Sequence, residues 1–257
     1  MKRWKKALIA LGAVIATLLL AAFAMYLSAF GGRAPMTDAD LQPGVHVVPM
    51  GFVSAFIIEA GPGQVALIDT GVDPEGKAIL AALQARGLTR ESVRAIFITH
   101  GHGDHIAAIK KFPEAQVYAL ETERALVAGE VTGTSPMGKL QKPNATGITL
   151  SRGLSDGEQV KVGDTTVTAF AVPGHTSGSA AYLVKGALLL GDAATVSPKG
   201  QVIGPVWMFS GDTSLGRESL RKLGVRLQGE HLEVRALGFA HCGPLMGDGA
   251  QALRGVE

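Results

Sequence analysis

The chain has 257 residues, of which 47% are hydrophobic and 18% are charged, so it can form one ordinary domain with a packed core. The net charge is +2, but four basic residues lie in the first six positions, which leaves 20 basic and 22 acidic side chains beyond residue 30. That weakly acidic body argues against nucleic-acid binding, and a single cysteine, Cys242, excludes an internal disulfide framework and a multi-cysteine metal site.

The N-terminal region contains an uncharged, mostly apolar run at residues 7–30 after a basic tip. As a helix this run would be about 36 Å long, enough to cross a hydrocarbon core of about 30 Å. The basic tip should stay in the cytoplasm, which predicts an inner-membrane anchor with the rest of the chain outside. A cleaved signal peptide, cut near Ala22-Phe23-Ala24, is the alternative and would give a periplasmic or secreted protein. The apolar run continues past that site, which favours the anchor.

Beyond the anchor or signal segment at 1–30, a Gly-, Pro- and Asp-containing stretch at 31–44 is predicted to be a linker, and 45–257 a folded domain. Residues 129–157 are predicted to be a long loop. Helices are expected at 74–86, 106–112, from about 121, and at 214–227. Apolar patterning predicts strands at 45–48, 53–59, 64–68, 95–99, 117–120, 159–162, 165–172, 180–184, 187–190 and 235–240. This order indicates an α/β fold with two sheets and helices outside them.

The most informative motif is Thr99-His100-Gly101-His102-Gly103-Asp104-His105, directly after a predicted buried strand. Histidines two residues apart at a strand end point to the same side, and the glycines permit a tight turn. Asp104 is expected to be the N-cap of the next helix. Imidazole and carboxylate groups are zinc ligands. Three more strand ends carry such groups, namely His175, Asp192 and His241. The remaining histidines, His46 and His231, are interpreted as surface or packing residues.

This pattern resembles that of the metallo-β-lactamase-fold hydrolases, over nearly all of residues 45–245 and including Leu67-Ile68-Asp69-Thr70-Gly71. The resemblance implies an αββα sandwich with a dinuclear metal site between the sheets. It implies two zinc ions, with iron or manganese as alternatives, and a hydrogen-bonding role for Asp69 behind the ligands. The implied ligands are His100, His102 and His175 for the first metal, Asp104, His105 and His241 for the second, and Asp192 as the bridge.

The resemblance also implies hydrolysis by a metal-bound hydroxide, with Asp104 as the catalytic residue that orients it. An aspartate at 192 is typical of glyoxalase-II-like thioesterases, lactonases and phosphodiesterases, whereas true metallo-β-lactamases have cysteine or serine there. We therefore expect a small ester, lactone or thioester as substrate and no nucleic-acid partner. The segment 129–157 and Trp207-Met208-Phe209 are a candidate substrate wall, and Cys242 is interpreted as a packing residue. A β-lactam hydrolase, a phosphodiesterase, a mononuclear iron persulfide dioxygenase and a non-catalytic binding module remain alternatives, and the oligomeric state is left open.

Overall fold

The computed structural model describes residues 3–256, so Met1 and Lys2 of the predicted basic tip lie outside the described residues. The chain separates into two compact units, Met1–Arg33 and Ala34–Glu257. The described part of the first unit contains one helix, α1 (Arg3–Phe30), whose segment Leu8–Ser28 is long and apolar enough to cross a membrane. A signal sequence can have the same length and composition, so the helix fits either a membrane span or a signal sequence.

The second unit contains a seven-stranded sheet whose strands are neighbours in chain order. The first four strands run antiparallel, and the last three are added in parallel. The helices between them are α2 (Lys77–Gln84), α3 (Gly103–Ile106) and α4 (Arg124–Ala128). The strands are β1 (Asp40–Gln42), β2 (Val45–Met50), β3 (Val53–Gly61), β4 (Gln64–Ile68), β5 (Val93–Phe97), β6 (Gln116–Leu120) and β7 (Arg152–Leu154).

A second sheet of six strands has the order β15-β14-β11-β10-β9-β8, in which β11 and β14 are parallel and the other pairs antiparallel. A two-stranded hairpin, β12 with β13, lies outside it. Two helices follow, α5 (Thr213–Gly229) and α6 (Gly249–Arg254). The strands are β8 (Gln159–Val162), β9 (Thr165–Ala171), β10 (Ala180–Val184), β11 (Ala187–Leu189), β12 (Thr195–Val196), β13 (Val202–Ile203), β14 (Ala236–Gly238) and β15 (Leu245–Met246).

The core has three layers, which confirms the predicted αββα arrangement. One buried cluster, including Phe56 and Tyr182, fills the space between the two sheets. A second lies on the outer face of the first sheet, where α2 contributes Ile79 and Leu83, and a third lies between the second sheet and α5. Because both faces of each sheet are covered, a central strand such as β3 is buried along almost its whole length.

Several boundaries differ from the sequence-based expectations. The predicted linker 31–44 contains strand β1, and the predicted loop 129–157 contains strand β7. Both strands have only three residues, too few for an alternating pattern to be recognised. The helix expected at 74–86 begins only at Lys77, because Gly76 precedes it in a left-handed conformation with φ 62°.

The region after the histidine motif is also broken more finely than expected. The helix predicted at 106–112 is replaced by the short α3 and a 3₁₀ turn at Ile109–Lys111. The prediction that Asp104 caps that helix was wrong: α3 begins at Gly103, and Asp104 lies within its first turn. Its carboxylate therefore remains available for other contacts.

Candidate metal centre

All seven predicted ligands come after strands, in turns or in the short helix α3, and meet at one edge of the sandwich. The histidine motif follows β5, and His175 follows β9 after a short turn. Asp192 and His241 follow β11 and β14, which are parallel neighbours. Carboxyl ends of strands that run in the same direction lie at the same edge, so residues distant in sequence converge there.

The first cluster consists of His100, His102 and His175. His100 Nε2, His102 Nδ1 and His175 Nε2 lie 3.0 Å from one another. At that spacing one cation can contact all three at the usual zinc–nitrogen distance of about 2.0–2.1 Å.

Neighbouring hydroxyl groups set which nitrogen of two of these rings carries hydrogen. Thr99 Oγ1 donates to Asp69 Oδ2 at 2.7 Å and therefore accepts from Nδ1 of His100 at 3.2 Å. Ser210 Oγ donates to the Val206 carbonyl at 2.6 Å and accepts from Nδ1 of His175 at 3.0 Å. Both rings consequently present the Nε2 lone pair to the cluster.

Burial keeps the first cluster uncharged. Burial lowers the pKa of His175 to about 3, against the opposing effect of Asp192. Burial, together with the neighbouring imidazoles of His105, His175 and His102, holds the pKa of His100 well below its ordinary value. At neutral pH these rings are therefore free to donate lone pairs to a cation without first losing a proton.

The second cluster consists of Asp104, His105 and His241. Asp104 Oδ2 lies 3.5 Å from Nε2 of His241 and 3.9 Å from Nε2 of His105. Nδ1 of His105 donates to Asp69 Oδ2 at 2.8 Å, and Nδ1 of His241 donates to the Phe52 carbonyl at 2.6 Å. Both rings thus turn Nε2 towards the cluster.

Asp192 lies between the two clusters. Its Oδ1 is 3.1 Å from Nε2 of His241 and 3.4 Å from Nε2 of His105, while its Oδ2 is 3.5 Å from Nε2 of His175 and 4.0 Å from Nε2 of His100. Burial raises the pKa of Asp192, but His241 and His105 outweigh burial and hold it well below its usual range. The carboxylate is therefore ionised and presents one oxygen to each cluster.

The donor set fits metal cations. Nε2 of His105 and Oδ1 of Asp192 are buried and have no hydrogen-bond partner within residues 3–256. Buried polar atoms normally have partners, and a bound cation would supply one for both. Five imidazoles and two carboxylates are donors suited to transition metals. Burial lowers the pKa of His105, but Asp192 and Asp69 outweigh it and hold that pKa well above its ordinary value, so a cation would replace a proton there.

Asp69 and two other residues singled out from the sequence have the contacts expected of them. Asp69 is fully buried, and besides the Thr99 hydroxyl and His105 its carboxylate accepts from the Thr99 amide at 2.8 Å. Cys242 is buried, and its Sγ accepts from the Val196 amide. His46 lies outside the site, against Asp38 and Asp40.

The N-terminal part of the second unit also contacts the turn that carries His241. The Gly243 amide donates to the Ala34 carbonyl at 3.1 Å, and the Ala34 amide donates to Val196. On the other side of His241, the Ser54 amide donates to the Ala240 carbonyl. The predicted linker therefore includes a residue, Ala34, that is hydrogen-bonded to the turn carrying His241.

Sequence reasoning missed Glu123 and Ser210, both of which are buried beside the site. The available signal for Glu123 was its position: it follows the end of β6, as the predicted ligands follow other strands. Ser210 follows the Trp207–Phe209 turn, whose residues the sequence marks only as a candidate substrate wall. No spacing pattern in the sequence linked either residue to the histidines.

The comparisons with known proteins agree with this architecture. The model of the metallo-beta-lactamase superfamily matches residues 48–237. A protein of Dechloromonas aromatica (strain RCB) named hydroxyacylglutathione hydrolase is 40% identical over 125 residues, covering 47% of this chain and 38% of that protein. The chain therefore spans well under half the length of this curated relative.

Solved structures share the fold. A B3 metallo-beta-lactamase with an active-site glutamic acid aligns with a TM-score of 0.64 at 21% identity, covering 87% of this chain and 86% of that one. A metallo-beta-lactamase family protein from Thermus thermophilus aligns with a TM-score of 0.57 at 26% identity, covering 83% of this chain and 78% of that one.

Proposed function

The chain belongs to the metallo-beta-lactamase superfamily, and from this premise we propose that it is a dinuclear zinc hydrolase of a small ester, lactone or thioester. The observation that carries the proposal is the position of Asp192, whose two oxygens face two separate clusters of nitrogen donors. A carboxylate in that position can bridge two cations, and the flanking clusters supply the remaining ligands.

In this proposal His100, His102 and His175 would hold one ion, Asp104, His105 and His241 would hold the other, and Asp192 would be shared by both. Two such ions, when bound, supply a water of lowered pKa as nucleophile and polarise the carbonyl under attack. Iron and manganese accept the same donors and remain alternatives to zinc.

The protein's own groups then orient the reactants. The Asp104 side chain keeps 28% of its surface exposed, so it can accept a hydrogen bond from a water entering the site and direct that water towards the substrate. Asp69 holds His105 with Nε2 inward, and Ser210 does the same for His175. These buried contacts preserve the arrangement of the donors between turnovers.

We propose that the substrate carries an apolar group. The Phe52 ring stacks on the ring of His241 with centroids 5.9 Å apart and is 59% exposed. The segment 129–157 approaches the first cluster, since a Cβ atom on Gly133 would lie 3.2 Å from Nε2 of His102. That segment is joined to the Trp207–Phe209 turn by a hydrogen bond from the Met137 amide to the Met208 carbonyl. Apolar side chains around a polar centre are typical of small-molecule sites.

A thioester is one candidate bond, because the Dechloromonas aromatica relative is named a hydroxyacylglutathione hydrolase. We further propose that α1 is an uncleaved inner-membrane anchor with the second unit on the extracytoplasmic side. The positively charged tip and the length of the apolar segment support this orientation.

The test is acid release by the full-length protein in detergent, with lactones, oxo-esters and thioesters, before and after metal removal. We expect one class to be hydrolysed, activity to be lost on chelation and zinc to restore it. His102→Ala should abolish turnover, whereas His231→Ala, at an exposed histidine outside the site, should leave it unchanged. A β-lactam, a phosphodiester and a persulfide are included, and turnover of one of these alone would reject the proposed bond class.

A further inference from the structure

Glu123 is a buried carboxylate that the proposed chemistry does not use. It lies in a 3₁₀ turn, Glu121–Glu123, directly after β6, and is 1% exposed. Carboxylates are rarely buried this deeply unless paired, so the reason for its burial must lie in its contacts.

Those contacts are to two turns that come from different sheets. Oε1 accepts from the amide of Gly101, between His100 and His102, at 2.8 Å. Oε2 accepts from the Thr176 hydroxyl, next to His175, at 3.0 Å, and the Gly178 amide also donates to this carboxylate. The Gly101 turn follows the first sheet, and the Thr176 turn follows the second.

We propose that Glu123 is a positioning residue that sets the separation between His100 and His102 on one sheet and His175 on the other. The three imidazoles lie on turns that follow strands of two different sheets. The 3.0 Å spacing of their nitrogens therefore depends on a fixed separation between the two turns. Because one carboxylate accepts from both turns, separating the turns lengthens at least one of its hydrogen bonds.

The absence of side chains at the two contacted glycines supports this assignment. A Cβ atom on Gly101 would lie 2.7 Å from the Val127 amide nitrogen, and one on Gly178 would lie 2.5 Å from Oε2 of Glu123. The Gly101 backbone therefore approaches α4, which directly follows Glu123, and the Gly178 backbone approaches Glu123 itself, more closely than any other residue type would allow.

The experiment measures metal affinity and stoichiometry by competition with a chelator, using Zn²⁺ or Co²⁺ and the full-length protein in detergent. The variant is Glu123→Gln, which keeps the shape but replaces one accepting oxygen with an NH₂ group that donates and cannot accept a hydrogen bond. The matched control is Glu121→Gln, two residues away, whose carboxylate is exposed and pairs with Arg124. Thr176→Val removes one of the donors without changing the charge and tests the same contact from the other side.

We expect one of two bound ions to be held roughly 10- to 100-fold more weakly in E123Q, the range found for outer-sphere partners of metal ligands. The affinity of E123Q for the other ion should be unchanged, and its circular dichroism spectrum should match that of the wild type. The control E121Q should bind both ions with wild-type affinity. T176V should weaken the same ion to a smaller extent, and the losses in the double variant should be less than additive.

The inference rests on the proposed function, and the two can fail separately. Wild-type protein that binds no metal would overturn both. Two ions bound equally by the wild type, E123Q and T176V would overturn the positioning role alone. Equal weakening of both ions in E123Q would assign Glu123 a general structural role and would also overturn it.

Discussion

Replacing Asp69 with asparagine should weaken metal binding at the second cluster by changing which nitrogen of His105 carries hydrogen. The Asp69 carboxylate accepts from the Thr99 amide, the Thr99 hydroxyl and Nδ1 of His105, all within 2.7–2.8 Å. Asparagine has the same shape and tolerates the left-handed backbone of this position, φ 58°. Its single accepting oxygen can face the Thr99 amide or His105, but not both.

With the oxygen towards the Thr99 amide, the asparagine NH₂ faces Nδ1 of His105. That ring then avoids two opposed donors only by giving up the hydrogen on Nδ1 and keeping the one on Nε2, the atom that faces Asp192. The loss of one hydrogen bond to a charged group is worth about 1.5–3 kcal/mol. At about 1.4 kcal/mol per factor of ten, D69N should bind the second ion roughly 10- to 150-fold more weakly.

The assay is a chelator competition titration of metal-free D69N, together with nitrogen NMR of the His105 ring. Asp73→Asn is the matched control, because the Asp73 carboxylate likewise accepts backbone hydrogen bonds, from the Glu75 and Lys77 amides at the start of α2, and is not one of the site's donors. Wild-type affinity for both ions in D69N, or a His105 ring that keeps its hydrogen on Nδ1, would refute the reasoning.

Three further predictions concern Asp192, the Ala34 contact and Glu123. Asp192→Asn should lower kcat/KM by at least about 100-fold and release one ion, since a neutral amide cannot serve both clusters; normal zinc content by metal analysis would contradict this. A protein starting at residue 37 should bind the ion at the second cluster more weakly than one starting at residue 31, because it lacks the Ala34 contact to the His241 turn. Equal affinities of the two proteins in the chelator competition would contradict a role for this contact. Burial raises the pKa of Glu123 from 4.5 to about 6, so the folded chain holds that proton more tightly than the unfolded chain. The Glu123 contribution to the free energy of unfolding should therefore fall by about 2 kcal/mol as the pH rises through the range between these two pKa values. The check is urea unfolding of the metal-free wild type and metal-free E123Q at pH 4 and at pH 7.5. Relative to the wild type, E123Q should be more stable at pH 7.5 than at pH 4 by about that amount.

Hydrophobic patterning predicted two sheets and placed the donors at strand ends, whereas the αββα sandwich and the assignment of the donors to two metals came from the family resemblance. The motif at 99–105 places four donors within six residues of one strand end. The short sequence separation keeps these donors close together without contacts from the rest of the chain. Strands such as β3 and β9 are long enough for their apolar pattern to be recognised. The short strands β1 and β7 are held by pairing with β2 and β6, and pairing is not encoded in three residues.

The sequence by itself determined which side chains could serve as metal donors, since imidazole and carboxylate chemistry belongs to the residue type and strand-end positions follow from hydrophobic patterning. Only the tertiary structure decided how they face one another. The hydroxyls of Thr99 and Ser210 select the inward nitrogen of His100 and His175, and Asp192 divides its oxygens between two clusters. Glu123 joins turns from two sheets that are far apart in the sequence. Such contacts arise when the sheets pack, and no local pattern of residues carries them.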